Sequence, residues 1–116
     1  MPQATQQLSI LSLKLATPVF LTGATGFIGR RLAERLITAG ADVTALVLPG
    51  EASLLPEGVR AIPGDITRAE TVAEAITATQ PGLIIHLAAI GITTPDLPLT
   101  AACDVNVGGV INVLDA

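Results

Sequence analysis

Tyrosine and tryptophan are absent from this chain, and Phe20 and Phe27 are its only aromatic residues. Its core must be built from aliphatic side chains, a composition that suits strands buried on both faces between helices. One cysteine, Cys103, excludes an internal disulfide. With one histidine and no CxxC or HxxxH spacing, a dedicated metal site has no ligand set. Basic residues are also scarce: six Lys and Arg stand against ten Asp and Glu, for a net charge of -4, and Arg30-Arg31 is the only adjacent basic pair. That argues against a nucleic-acid surface. No apolar run approaches the roughly 18 residues needed to span a bilayer. The segment before Pro18 lacks the basic start of a signal peptide, and its apolar stretch is broken by Ser9, Ser12 and Lys14. A reducing, cytoplasmic setting is expected, with neither membrane nor nucleic acid as partner.

What is present is one domain's worth of apolar sequence: half of the 116 residues are hydrophobic. Residues 1–16 are expected to form a poorly ordered leader rather than an extra edge strand. After it, the run Val19-Phe20-Leu21 reads as a buried strand. Ile28, Leu32, Ala33, Leu36 and Ile37 then recur at helical spacing, with Arg30, Arg31, Glu34 and Arg35 on the opposite face. Val43 to Leu48 predicts a second strand, ended by Pro49-Gly50, and Val59 to Ile62 a third. Thr67 with Glu70 three residues later forms a capping-box pattern for a second helix. Pro81-Gly82 closes that helix ahead of a buried fourth strand, Leu83 to Ala89. A loop from Gly91 to Pro98 follows. From Leu99 onward, Cys103, Val107, Val110, Ile111 and Leu114 mark the packing face of a last helix. Right-handed crossovers through this alternation predict a parallel sheet in the order 3-2-1-4.

Between the first strand and first helix lie Gly23, Gly26 and Gly29, spaced GxxGxxG. In that context the spacing points to a dinucleotide pyrophosphate: glycines allow close backbone approach, and a helix N-terminus offers free N–H donors and a positive dipole end. Ligands of such sheets lie beyond the carboxyl ends of the strands, where the strand order reverses.

Taken in order, Thr22 to Gly29 (TGATGFIG), Gly64-Asp65-Ile66, His86-Leu87-Ala88-Ala89 and Asn106-Val107-Gly108-Gly109 resemble the extended short-chain dehydrogenase/reductase family of the epimerase/dehydratase type. The resemblance implies a Rossmann-like, doubly wound α/β fold. It covers only the N-terminal part of that fold, so residues 17–116 are expected to form a partial NAD(P)-binding domain, truncated relative to the family. By resemblance, Gly23, Gly26 and Gly29 shape the pyrophosphate turn, with the backbone of Phe27 and Ile28 facing the phosphates. Asp65 takes the position whose carboxylate contacts the adenine amino group, accompanied by the backbone of Ile66. Leu87, Ala88 and Ala89 pass beside the cofactor, and Asn106 braces the strand ends.

Each assignment has a plainer counterpart. Asp after Pro-Gly is a common turn residue. Alanines in a crowded core look like alanines beside a ribose, and His86 is read as a hydrogen-bonded structural residue. Gly108-Gly109 is attributed to close helix packing, and Cys103 to a small apolar contact. The cofactor is NAD or NADP: the end of the second strand is Val47-Leu48, with no acid or base there, and Glu51 beyond the Pro-Gly turn is a candidate for ribose hydroxyls and Arg30 or Arg31 for a 2′-phosphate, each of which also reads as a solvated surface charge. The resemblance implies an epimerase, dehydratase or reductase acting on a sugar nucleotide or related hydroxy or carbonyl compound, and a homodimer. The proton in that chemistry is handled by a YxxxK motif, which a chain without tyrosine cannot supply, so no catalytic residue is assigned. The alternative is a non-catalytic dinucleotide-binding sensor or interaction module.

Overall fold

The computed structural model describes residues 17–90 and 96–116; the expected leader and most of the Gly91–Pro98 loop lie outside the described residues. Four parallel strands, β1 (Val19–Thr22), β2 (Val43–Val47), β3 (Arg60–Pro63) and β4 (Leu83–His86), form a sheet in the order β3-β2-β1-β4. Val19 is in register with Val43 on one side and Leu83 on the other. The two inner strands are buried along their whole length, which is why their sequences are continuous apolar runs rather than alternations.

The crossover direction fixes which helix covers which face. Helix α1 (Phe27–Thr38) carries the chain from β1 to β2 and buries Ala33 and Leu36 against Val19, Leu21, Val43 and Ala45. Helix α2 (Ala69–Thr79) returns the chain past β1 to β4, so it lies on the other face, where Val72 and Ala75 meet Phe20 and Leu46. Phe20 is fully buried there. A side chain of that size contributes about 1.5–3 kcal/mol on burial.

Several expected details differ. The fourth strand ends at His86 rather than Ala89, and Leu83 and Ile84 are 39% and 38% exposed, because β4 is the outer strand of the described sheet. Thr67 does not cap α2. Its N–H and hydroxyl both donate to Asp65 Oδ1, at 2.9 and 2.8 Å, and the helix begins after Arg68 without a side-chain cap. This local turn competes with the capping box for the same hydroxyl. On α1, Ile28 is 69% exposed, and Gly29 is the buried residue of the first turn.

The last helical run also turns the other way. It consists of α3 (Leu99–Cys103), a π-helical turn (Asp104–Gly108) and α4 (Gly109–Asp115), with right-handed dihedrals at each junction. Gly109 and Val113 are its buried residues, and Val105 packs on the core. The expected face is exposed instead, Leu114 at 77% and Val107 at 56%. Both stripes have helical spacing. The fold buries the narrower one because its polar member finds a partner: Asn112 Nδ2 donates to the Ile66 carbonyl at 2.9 Å. Of the two adjacent glycines only Gly109 is needed for approach, since a Cβ there would stand 3.0 Å from Ile66 Cγ1, whereas one on Gly108 meets nothing nearer than 3.9 Å.

Candidate functional site

A cavity of about 480 Å³ opens at the carboxyl ends of the strands, in the size range of small-molecule sites. Its walls are the β1–α1 turn with Gly23 and Gly26, the end of β2 with Leu48 and Glu51, the Gly64–Thr67 segment, and Leu87 to Ile90 after β4. Of the residues singled out from the sequence, Gly23, Gly26, Asp65, Ile66, Leu87, Ala88 and Ala89 thus line one space. Phe27, Ile28 and Gly29 do not; Phe27 is 87% exposed, and Gly29 is buried beneath the turn.

The three glycines serve different physical ends. Gly23 sits at φ +75°, a left-handed conformation, and a Cβ on it would lie 2.6 Å from the Leu87 carbonyl carbon, so it lets β1 and β4 exit side by side. Gly29 allows α1 to descend on the turn, since its Cβ would fall 1.8 Å from Gly23 O. Gly26 is ordinary in dihedral and is the N-cap of α1, with no side-chain cap. The first intrahelical bond runs from Arg30 N to Gly26 O, at 2.9 Å, so the N–H groups of Phe27, Ile28 and Gly29 precede any intrahelical acceptor. A helix start of this kind, bare of side chain and facing a cavity, is suited to an anion.

Thr22 organises the opposite wall, a role the sequence reading did not give it although it heads the glycine motif. Its Oγ1 accepts from the N–H groups of both Leu87 and Ala88, each at 3.1 Å. With two acceptor positions filled, the hydroxyl proton points to His86 Nδ1, 2.6 Å away. His86 is therefore the Nε2–H tautomer, and burial pushes its pKa below the ordinary 6.5. A neutral ring whose basic nitrogen is already engaged has a structural role. We predict that Thr22→Val lowers stability by about 1–3 kcal/mol, the usual cost of leaving such groups unpaired, and that Thr22→Ser restores it. Thermal unfolding followed by circular dichroism checks this; a valine variant as stable as the parent would remove the role assigned to Thr22.

Asp65 carries the charge of the adjoining wall. The backbone N–H of Thr67, then its hydroxyl, hold the Asp65 carboxyl below its ordinary 3.8; the Arg68 charge adds to this and partial burial opposes it. Both hydrogen bonds fall on Oδ1, so neither uses Oδ2. Asn106 fixes the loop after β4 by accepting from Ile90 N at 2.8 Å and donating to Ile90 O at 2.9 Å. Among the described residues no group of His, Cys, Asp and Glu is placed to hold a metal ion, and no helix is long and apolar enough to cross a membrane.

Comparison with known proteins shows the family. Residues 19–116 match the model of the NAD dependent epimerase/dehydratase family. The cattle (Bos taurus) protein named short-chain dehydrogenase/reductase family 42E member 1 is 31% identical over 99 residues, covering 84% of this chain and 25% of that protein. A 3-diazoavenalumate denitrifying reductase from Streptomyces is 37% identical over 81 residues, covering 69% of this chain and 26% of the relative. Among solved structures, the NAD complex of UDP-glucose 4-epimerase from Thermus thermophilus superposes with a TM-score of 0.69 at 30% identity, over 84% of this chain and 32% of that one. The Bordetella bronchiseptica enzyme WbmH in complex with NAD+ gives a TM-score of 0.73 at 27% identity, over 85% of this chain and 34% of that one. The chain thus spans about a quarter of the length of the curated relatives it matches.

Proposed function

Since the chain belongs to the NAD dependent epimerase/dehydratase family, we propose that its cavity holds a nicotinamide dinucleotide and that the chain is the cofactor-binding portion of an epimerase, dehydratase or reductase. In this reading the pyrophosphate lies on the bare N-terminus of α1, and the adenine amino group donates to Asp65. Leu87, Ala88 and Ala89 border the ribose on the far wall, where small side chains leave room. The substrate is a sugar nucleotide or a related hydroxy or carbonyl compound. The observation that carries the reading is the uncapped helix start at Gly26, facing a cavity of suitable volume at the point where the strand order reverses.

Bound NAD or NADP supplies a nicotinamide carbon that accepts or returns hydride. The chain's own residues do the holding: backbone N–H groups orient the phosphates, and the Thr22 hydroxyl fixes the wall opposite them. None of these residues moves a proton in this proposal.

Asp65→Ala tests the adenine contact. Affinity for NAD is expected to fall by about 0.5–3 kcal/mol, the range for losing one hydrogen bond to a charged acceptor. Isothermal calorimetry with adenosine monophosphate and nicotinamide mononucleotide as competitors localises the loss. It belongs on the adenylate half; a loss confined to the nicotinamide half would place Asp65 elsewhere.

A further inference from the structure

Apart from its own carbon, Thr22 Oγ1 has three bonding directions, and all three are used. Its lone pairs face the N–H groups of Leu87 and Ala88, each at 3.1 Å, and its proton faces His86 Nδ1 at 2.6 Å. If Nδ1 takes up a proton, the ring presents an N–H where the hydroxyl needs an acceptor. The hydroxyl proton must then turn toward one of the two amides, which loses its acceptor. A charged ring and both amide bonds cannot coexist.

The rest of the site offers a charged ring nothing in return. His86 Nε2 is buried and has no hydrogen-bond partner among the described residues. Thr22 shares a face of the sheet with Phe20, two residues earlier, and that face is covered by α2 and by the helical run containing Val105 and Val113. No other ionisable side chain lies on β1, on β4 or between Leu87 and Ile90. Arg68, Glu70 and Glu74 at α2, and Cys103, Asp104 and Asp115 on the last helical run, are all exposed. Burial alone acts on the His86 pKa and lowers it; neither Glu51 nor Asp65, the carboxylates lining the cavity, offsets this.

The segment held by Thr22 also lies against the β1–α1 turn, since a Cβ on Gly23 would stand 2.6 Å from Leu87 C and 2.7 Å from Ala88 N. Leu87 N–H additionally reaches the Thr22 carbonyl, at 3.2 Å, so β1 and β4 stay paired when the hydroxyl lets go. The change is local to the cavity wall.

We infer that His86 and Thr22 form a proton-operated latch: with the ring neutral the Leu87–Ala88 wall is held to β1, and protonation of Nδ1 releases it and weakens ligand binding in the cavity. The last step rests on the dinucleotide reading above; the latch itself does not. The folded chain takes up this proton less readily than the unfolded chain, whose histidine has the ordinary value of 6.5. The stability the latch contributes is therefore complete above that pH, falls as the pH drops beneath it, and levels off once the folded ring is charged.

Nitrogen-15 NMR of the parent chain reads the latch without a ligand, because its single histidine gives one set of ring signals. At about pH 7.5 a ring protonated on Nε2 and bare at Nδ1 is expected. On acidification the Leu87 and Ala88 amide signals should shift together with the ring, at a midpoint below 6.5. A ring carrying its proton on Nδ1 near neutrality, a midpoint at or above the ordinary value, or amides that stay still until the chain unfolds would each overturn the latch. Calorimetry with NAD+ joins it to the ligand: from about pH 7.5 to about one pH unit below the ring's midpoint, the dissociation constant should rise at least about threefold, the scale of one lost hydrogen bond. His86→Asn, whose amide oxygen replaces Nδ1 and does not titrate, should lack that rise, and it also subtracts any titration of Glu51 and Asp65. An equal rise in His86→Asn, or none in the parent, would overturn the control of binding. Absence of NAD+ binding at both pH values would overturn the dinucleotide reading and this control with it, while the ring and amide signals still decide the latch.

Discussion

Gly29→Ala is expected to leave the chain without a cooperative unfolding transition. Helix propensity alone predicts the opposite sign, since alanine in a helix is favoured over glycine by about 1 kcal/mol. The geometry decides otherwise. A Cβ on Gly29 would stand 1.8 Å from Gly23 O, 2.6 Å from Gly23 C and 3.1 Å from Ala24 Cα, all backbone atoms that cannot swing aside as a side chain can. Relief requires α1 to lift off the turn, which separates Ala33 and Leu36 from the β1–β2 core they bury. One surplus methyl in a core of adaptable side chains costs about 1–3 kcal/mol. Against rigid backbone the cost is larger, and it is set against a total stability of about 5–15 kcal/mol for a domain. Gly108→Ala is the matched control, helical and free of any contact nearer than 3.9 Å, and is expected to stabilise slightly. Far-UV circular dichroism with thermal melting distinguishes the two. If Gly29→Ala melts at or above the parent temperature, the close approach of α1 to the turn is not what this glycine provides.

Sequence pattern resolves the parts of this fold governed by continuous burial or by local punctuation. The parallel order of the sheet follows from four apolar runs separated by helical periodicity, and β1 to β3 fall within a residue of where those runs begin and end. Patterns fail where two readings share one period. In the last helix the residues 103, 107, 110, 111 and 114 and the residues 105, 109, 112 and 113 both repeat at helical spacing. The first set is more apolar, yet the second is buried because Asn112 and Gly109 fit against Ile66. Hydrophobicity carries no information about a carbonyl waiting for a donor.

The same limit applies at the site. The glycine spacing was legible, but it does not say which glycine serves the ligand and which the packing; that division depends on what each absent Cβ would touch, and the Leu87 backbone beside Gly23 is over 60 positions away. Thr22 and His86, paired across neighbouring strands, are likewise brought together only by register. Thr67 illustrates the converse, a local pattern defeated by a nearer partner, since Asp65 takes the hydroxyl that the capping box would have used.

Gly26→Val, in contrast to Gly29→Ala, is expected to keep the fold and remove dinucleotide binding. Gly26 has φ -79° and ψ 175°, an extended conformation that valine adopts without strain. A Cβ there approaches only Gly23 O, at 3.3 Å, which a shift of a few tenths of an ångström relieves. The stability loss should stay near about 1 kcal/mol, the scale of an unfavourable helix N-cap residue. The ligand has no such latitude. Gly26 is exposed and lines the cavity at the start of α1, so two methyl groups would occupy the space through which a phosphate reaches the N–H groups of the first turn. Affinity for NAD+ should fall at least about a hundredfold, equivalent to about 2.8 kcal/mol at 1.4 kcal/mol per tenfold, with Gly26→Ala intermediate. Calorimetry on both variants, after circular dichroism has shown them folded, supplies the measurement. An unchanged dissociation constant in a folded Gly26→Val chain would mean that the pyrophosphate does not lie on this helix start, and the proposed orientation of the cofactor would fall with it.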